Sequence, residues 1–228
     1  MILAALGRAM AEFLPRRAMR RRQAMTLGTI VDARAEAKED LSSSLGAFLG
    51  YYLARLAADR DMTLADATRC IAAATGPIKA RRAYLNAMLN FKLAGAIWPH
   101  LRQTARPHFF RKTLPMTAGV SNVVVRDDWM ARSRSGHVAE YIRGVSTGPI
   151  LPLVLTPTTL GEELNGGVTY RTAGFTHQKI DGIMEMFMDQ IEGAGEVRYG
   201  SGSRRRAKNR LAATLSASQR QPAMLVAD

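Results

Sequence analysis

The order in which helix-like and strand-like segments follow one another constrains this chain more than any single residue does. Residues 62–101, MTLADATRCIAAATGPIKARRAYLNAMLNFKLAGAIWPHL, carry its clearest helical pattern and divide two groups of β-branched, apolar segments. Thr63 is placed to cap this stretch, and Asp66 three residues on gives a near capping box. Gly76-Pro77 is expected to break it into two helices, the second running from about Pro77 to Trp98. Ile78, Tyr84, Leu85, Met88, Phe91 and Leu93 form the broad stripe that this second helix should bury.

Before this stretch, residues 2–14 have helical spacing up to Pro15, and QAMTLGTIVDAR reads as a strand ending at Arg34. AEAKEDLSSS is a polar loop. LGAFLGYYLARLA (45–57) suits strand or helix, with strand favoured for its first part. After Pro107, LPMTAGVSNVVVRDDW contains a buried-strand run, and residues 145–175 read as two strands joined by a turn near Gly161-Glu162. A helix follows from Thr176 to Glu192. The order helix, strands, helices, strands, helix predicts an α/β fold, a layered mixed β-sheet with flanking helices.

The net charge of +13 points toward polyanions, but its placement matters more than its size. Residues 1–22 carry +5 and residues 197–228 carry +6, so the middle of the chain is nearly balanced. The basic ends hold only Phe13 and Tyr199 as aromatics for base stacking, which argues against specific nucleic-acid recognition. The tail from residue 197 has no sustained apolar period and reads as a basic disordered segment following a domain of residues 1–196. MILAALGRAMAEFL has an arginine and a glutamate within its apolar run and no basic region before it. It therefore reads as an amphipathic helix rather than a signal peptide. No apolar run is long enough to predict a transmembrane helix, so membrane contact is at most peripheral. Cys70 is the only cysteine, which removes any intrachain disulfide and fits a reducing cytoplasm.

Chemistry-bearing motifs are few. FTHQKIDGIMEMF (175–187) spells His-x-x-x-Asp-Gly, in which His177 would be a general base and Asp181 its partner one helical turn away. The same residues are accounted for by an amphipathic helix capped by Thr176, with Ile180, Ile183, Met184, Phe187 and Ile191 in one stripe. Asp181 is then favoured by the helix dipole alone. His100, His108 and His137 lack partners at metal-ligand spacing, and Glu162 and Glu163 fit a hairpin turn better than a metal site. No metal is expected. No glycine-rich phosphate loop or nucleophile elbow occurs.

Four stretches taken together carry a resemblance: MTLGTIVDAR (25–34), LGAFLGYYLARL (45–56), TAGVSNVVV (117–125) and VSTGPILPLVLTPTTLGEELNGGVTYRTAGF (145–175). Their order resembles the C-terminal half of the chloramphenicol acetyltransferase-like superfamily, which includes wax ester synthases, alcohol acetyltransferases and condensation domains. The resemblance covers roughly residues 2–192. Ser121-Asn122 matches the Ser-Asn that opens a strand beside the active-site tunnel in such proteins. Gly148-Pro149 matches their Gly-Pro, and Tyr170 the tyrosine before the last helix.

The resemblance implies one half of a two-lobed fold around a tunnel. The catalytic His-His-x-x-x-Asp-Gly of the superfamily belongs to the other half. Here His177 lies in the final helix, and Thr176 stands where the first histidine of the pair would be. The expectation is therefore a truncated or split product, or a catalytic half on another chain, inactive alone and prone to self-associate through GVSNVVV and PILPLVLTPTT.

The implied substrates are acyl-CoA or an acyl-carrier thioester, with an alcohol or amine acceptor and no permanently bound cofactor. Ser121 and Asn122 could donate to a developing oxyanion or simply hold a strand start. Met116 and PILPLVL could line an acyl channel or a packed core. The alternative function is a non-catalytic interaction module that binds nucleic acid or anionic lipid through its basic ends.

Overall fold

The computed structural model describes residues 1–13, 24–41, 44, 46, 48–106, 109, 116–125, 141–148, 151–161 and 163–196. It divides into two units, Met1–Phe187 and Met188–Asp228. The second is described only over residues 188–196, which are helical. The expected basic tail lies outside the described residues.

The first unit is built on a mixed sheet. β1 (Ala24–Asp32) pairs antiparallel with β2 (Leu49–Ala57), from Ala24↔Ala57 to Asp32↔Leu49. On its other side β1 runs parallel to β3 (Ala118–Val120), and β3 runs parallel to β5 (Leu153–Leu160). β4 (Val123–Val125) also pairs with β5, and β6 (Glu163–Tyr170) closes that side as an antiparallel hairpin. Gly119 pairs with Val154 and Val123 with Thr158, the same offset in both. β3 and β4 are therefore one strand interrupted at Ser121-Asn122. The β5–β6 turn is at Gly161, whose φ of 59° suits a residue without a Cβ.

One face of the sheet is covered by helix α1 (Ile2–Phe13), which is amphipathic as expected: most of its residues are buried, and Arg8 and Glu12 lie on the side that is not. A Cβ at Gly7 would stand 2.6 Å from Leu56 Cδ2 and 2.8 Å from Leu27 Cδ1, so the helix backbone lies directly on the sheet. At Gly182 a Cβ would come within 2.6 Å of Phe13. That close approach sets the part of α4 (His177–Glu196) up to Phe187 beside α1, with Ile180, Ile183, Met184 and Phe187 buried. Thr176 Oγ1 accepts from Lys179 N at 3.3 Å, the cap the sequence implies.

Several boundaries differ from expectation for identifiable reasons. β1 stops at Asp32, whose carboxylate accepts from Arg34 N at 3.0 Å and turns the chain into a short 3-10 helix, Arg34–Glu36. β2 is the later part of residues 45–57, because it begins at Leu49. Helix α2 (Leu64–Ala80) runs straight through Gly76-Pro77. Pro77 falls in its last turn, so the one hydrogen bond it cannot donate is near the helix end, and Arg81 N still reaches Pro77 O at 3.1 Å. The break comes later, at Arg82, in the left-handed region with φ 49°.

The second helix, α3 (Ala87–Ile97), does not bury the expected stripe. Tyr84 and Ala87 are buried, whereas Leu85, Phe91 and Leu93 are exposed. Of the two strands expected at an open edge, β5 is an interior strand between β3/β4 and β6, and all but one of its residues are buried. β4 is the exposed one, with Val124 63% accessible.

Candidate functional site

The interruption at Ser121-Asn122 opens the sheet. β1 and β3 share three pairs, Leu27↔Ala118, Gly28↔Gly119 and Thr29↔Val120. Beyond Val120, β1 stays with β2 and β4 stays with β5. Beside this split, on the face away from α1, lies a cavity of about 420 Å³, a volume within the usual range for small-molecule sites.

Paired glycines clear its floor. A Cβ on Gly28 would meet Met116 Sδ at 2.7 Å, and one on Gly119 would meet Leu151 Cδ1 at 3.0 Å. Met116, Leu151 and Val154 line the cavity, whereas Leu153 and Leu155 of the same stretch are buried in the core. Ile30, Leu49 and Phe91 form an exposed apolar rim, where Tyr51 and Phe91 pack with ring centroids 5.4 Å apart.

The polar content is confined to hydroxyls and backbone. Ser121 is buried and lines the cavity, as do Ser146, Thr147 and Gly148. No His, Lys, Arg, Asp or Glu lines it among the described residues. Nor do the described residues hold a cluster of three or more His, Cys, Asp or Glu that could bind a metal.

Arg143 is the residue that sequence reasoning missed. Residues 141–148 cross the β5 side of the sheet, and the half-buried Arg143 fixes them there. Its Nη2 donates to Ser121 O at 2.6 Å and to Pro157 O at 3.2 Å. Its Nε donates to Thr158 Oγ1 at 3.1 Å, and Nη1 lies 3.5 Å from Ser121 Oγ. The Arg143 carbonyl in turn accepts from the buried Thr156 hydroxyl at 2.7 Å. One side chain therefore ties the broken strand, β5 and the cavity wall together. Glycine at 167 permits this approach, since a Cβ there would stand 2.4 Å from Arg143 O. The legible signals were small: glycines inside apolar strands mark close backbone approach.

Other candidates lie elsewhere. His177 is exposed on the first turn of α4, and its Nδ1 is hydrogen-bonded to the Tyr170 hydroxyl, with the rings edge-to-face at 5.6 Å. Asp181 is also exposed. Burial, and then the Asp181 charge, push the Tyr170 hydroxyl above its ordinary pKa. None of these three lines the cavity. Asn122 is exposed and does not line it either, while Pro149 lies outside the described residues. Ser121 and Gly148 are thus brought together at one wall, and Asn122 is not.

No protein-family profile and no curated protein sequence matches the chain. Solved structures do share its fold. The epimerization domain from the third module of tyrocidine synthetase B matches 84% of this chain at 14% identity and a TM-score of 0.51. The X-domain from teicoplanin biosynthesis matches 86% of it at 15% identity and a TM-score of 0.51. The chain spans 40% and 41% of the lengths of those two structures. At such identities the likeness is one of fold: a mixed sheet with flanking helices, corresponding to part of a chloramphenicol acetyltransferase-like architecture.

Proposed function

We propose that this chain is the C-terminal portion of an acyltransferase that moves an acyl group from CoA or a carrier thioester to a hydroxyl or amine. The observation that carries this reading is the apolar cavity at the split between β1 and β4, with Ser121 and Gly148 on its wall. Uncharged walls and an apolar rim suit an acyl chain, whose burial contributes about 0.8 kcal/mol per methylene.

Ser121 Oγ sits beside the Arg143 guanidinium, which leaves the hydroxyl proton free to donate to a carbonyl oxygen developing negative charge in the cavity. Thioester attack also needs a general base to take the acceptor's proton. None of the described cavity-lining residues can act as one at neutral pH, and on this reading the base belongs to the other lobe of a two-lobed protein. The resemblance to wax ester synthases, alcohol acetyltransferases and condensation domains supports the same assignment.

The experiment is a titration of the full chain with acyl-CoA of increasing chain length, followed by an acyl-transfer assay with and without a homologous N-terminal half bearing the histidine pair. Affinity should rise with chain length, and turnover should require the added half. Binding indifferent to chain length would remove the acyl-channel assignment. Turnover by the chain alone would place the base within it and return His177 to consideration.

A further inference from the structure

Helix α3 is turned inside out relative to an ordinary surface helix. Its sheet-facing side carries Ala87, Ala94 and Phe91, of which Ala87 is buried and Phe91 reaches Tyr51 on β2. Its outer side carries Leu89, Leu93 and Ile97, spaced four residues apart and 57%, 52% and 45% accessible. With Ala87, Ala94 and the part-covered Phe91 toward the sheet and large aliphatic residues outside, the helix has little reason to hold these leucines in water. A partner medium that is itself apolar removes the cost.

The charge pattern identifies that medium. The nearly balanced middle of the chain is strongly segregated: between Ala67 and Arg126 there are ten Lys and Arg and no Asp or Glu. These cations bracket α3. Arg81 and Arg82 precede it, Lys92 lies beside Leu89 and Leu93 on its outer side, and Arg102 and Arg106 follow it. Arg82 pairs with Glu36 at 3.0 Å yet stays 66% accessible. Trp98 ends the helix with the Arg106 guanidinium 4.9 Å over its ring. Aliphatic side chains on a helix flanked by cations, with an indole at its end, suit the boundary between lipid headgroups and acyl chains. Exposed leucines offer nothing to stack on nucleic-acid bases.

We infer that α3 is a membrane-surface helix, which lays Leu89, Leu93 and Ile97 into the headgroup–acyl boundary of an anionic bilayer while the surrounding Lys and Arg hold lipid phosphates. This surface is distinct from the basic ends of the chain. No helix among the described residues is long and apolar enough to cross a membrane, so the contact is interfacial. Because Phe91 belongs both to α3 and to the cavity rim, docking this helix sets the cavity mouth beside the lipid.

The test uses the full chain with exposed Cys70 replaced by Ser and an environment-sensitive nitrobenzoxadiazole label on Leu93→Cys, or on Lys179→Cys as a control. Vesicles are phosphatidylcholine with or without phosphatidylglycerol. The label at 93 should shift to the blue on anionic vesicles and be quenched by nitroxide lipids, while the label at 179 should not. Replacing both Leu89 and Ile97 with Ser should weaken binding by at least about tenfold. Lys92→Glu should weaken it by roughly tenfold on anionic vesicles alone.

Vesicle binding that leaves the label at 93 unshifted would assign the contact to the basic ends and overturn the proposal. A blue shift at 93 in buffer that grows with protein concentration would show the face covered by a second copy, which also overturns it. So would equal affinity for neutral and anionic vesicles.

Discussion

The guanidinium of Arg143 donates to the carbonyl of Ser121 at 2.6 Å, across the point where the third strand of the sheet is interrupted. Ser121 N donates to Leu155 O, so the Ser121 carbonyl faces β5, where Pro157 has no N–H to offer it. Arg143 supplies the missing donor from outside the ladder, which satisfies the strand at its interruption.

Arg143→Ala is expected to destabilise the fold by about 2 kcal/mol, the scale for removing a charged donor from partly buried acceptors. Arg143→Lys should recover less than half of that, because an ammonium cannot reach Ser121 O, Pro157 O and Thr158 Oγ1 as one planar fork. Urea unfolding at neutral pH measures both. A lysine variant as stable as the parent would show that charge alone matters at this site.

Gly28→Val should block the cavity without dismantling the sheet. The new side chain displaces Met116, whose Sδ lies 2.7 Å from the ideal Cβ position, into the cavity. The expected cost is about 1–3 kcal/mol of stability, typical of overpacking, with long-chain acyl-CoA affinity reduced by roughly tenfold or more. Unchanged acyl affinity in a folded variant would mean that the ligand lies elsewhere.

His177→Ala is expected to change acyl transfer in a reconstituted two-half enzyme by no more than about threefold, with stability altered by less than about 1 kcal/mol. The ring is exposed and bonded to Tyr170 rather than directed into the cavity. A loss of turnover on the order of a hundredfold, with circular dichroism unchanged, would make His177 the base.

Thr63→Ala should cost about 1 kcal/mol, because Thr63 Oγ1 accepts from Asp66 N at 3.1 Å and caps α2. The Thr63 hydroxyl, more than any other group, holds the Asp66 carboxyl below its ordinary pKa. The depressed folded-state value means that this stabilisation is present above about pH 4 and lost as pH falls through the folded pKa. Acid unfolding monitored between roughly pH 2 and 5 should therefore be shallower in Thr63→Ala than in the parent.

Much of the scaffold was legible in the residues because its cues are local. Thr63 with Asp66 and Thr176 with Lys179 are caps whose partners lie three residues away, and they formed as the spacing implied. The glycine at the β5–β6 turn and the stripe Ile180, Ile183, Met184 and Phe187 are similarly short-range features. The order of segments was enough to imply a mixed sheet with helices on it. Pro77 misled because propensity ignores position: this close to the helix end, a proline disturbs only the final turn.

By itself, then, the sequence determined the type of most segments, residues 45–57 excepted, and that the strands meet in one layered sheet, since those depend on periodicity and neighbours a few residues apart. Only the tertiary structure decided that β3 and β4 are one strand broken at Ser121, that Arg143 bridges the break, and that Gly28 and Gly119 face each other beneath a cavity. It also decided that Leu89, Leu93 and Ile97 point away from the core while Ala87 of the same helix is buried. The helical period fixes which residues share a face. Which face is buried depends on what the rest of the chain brings alongside, and no local pattern records that.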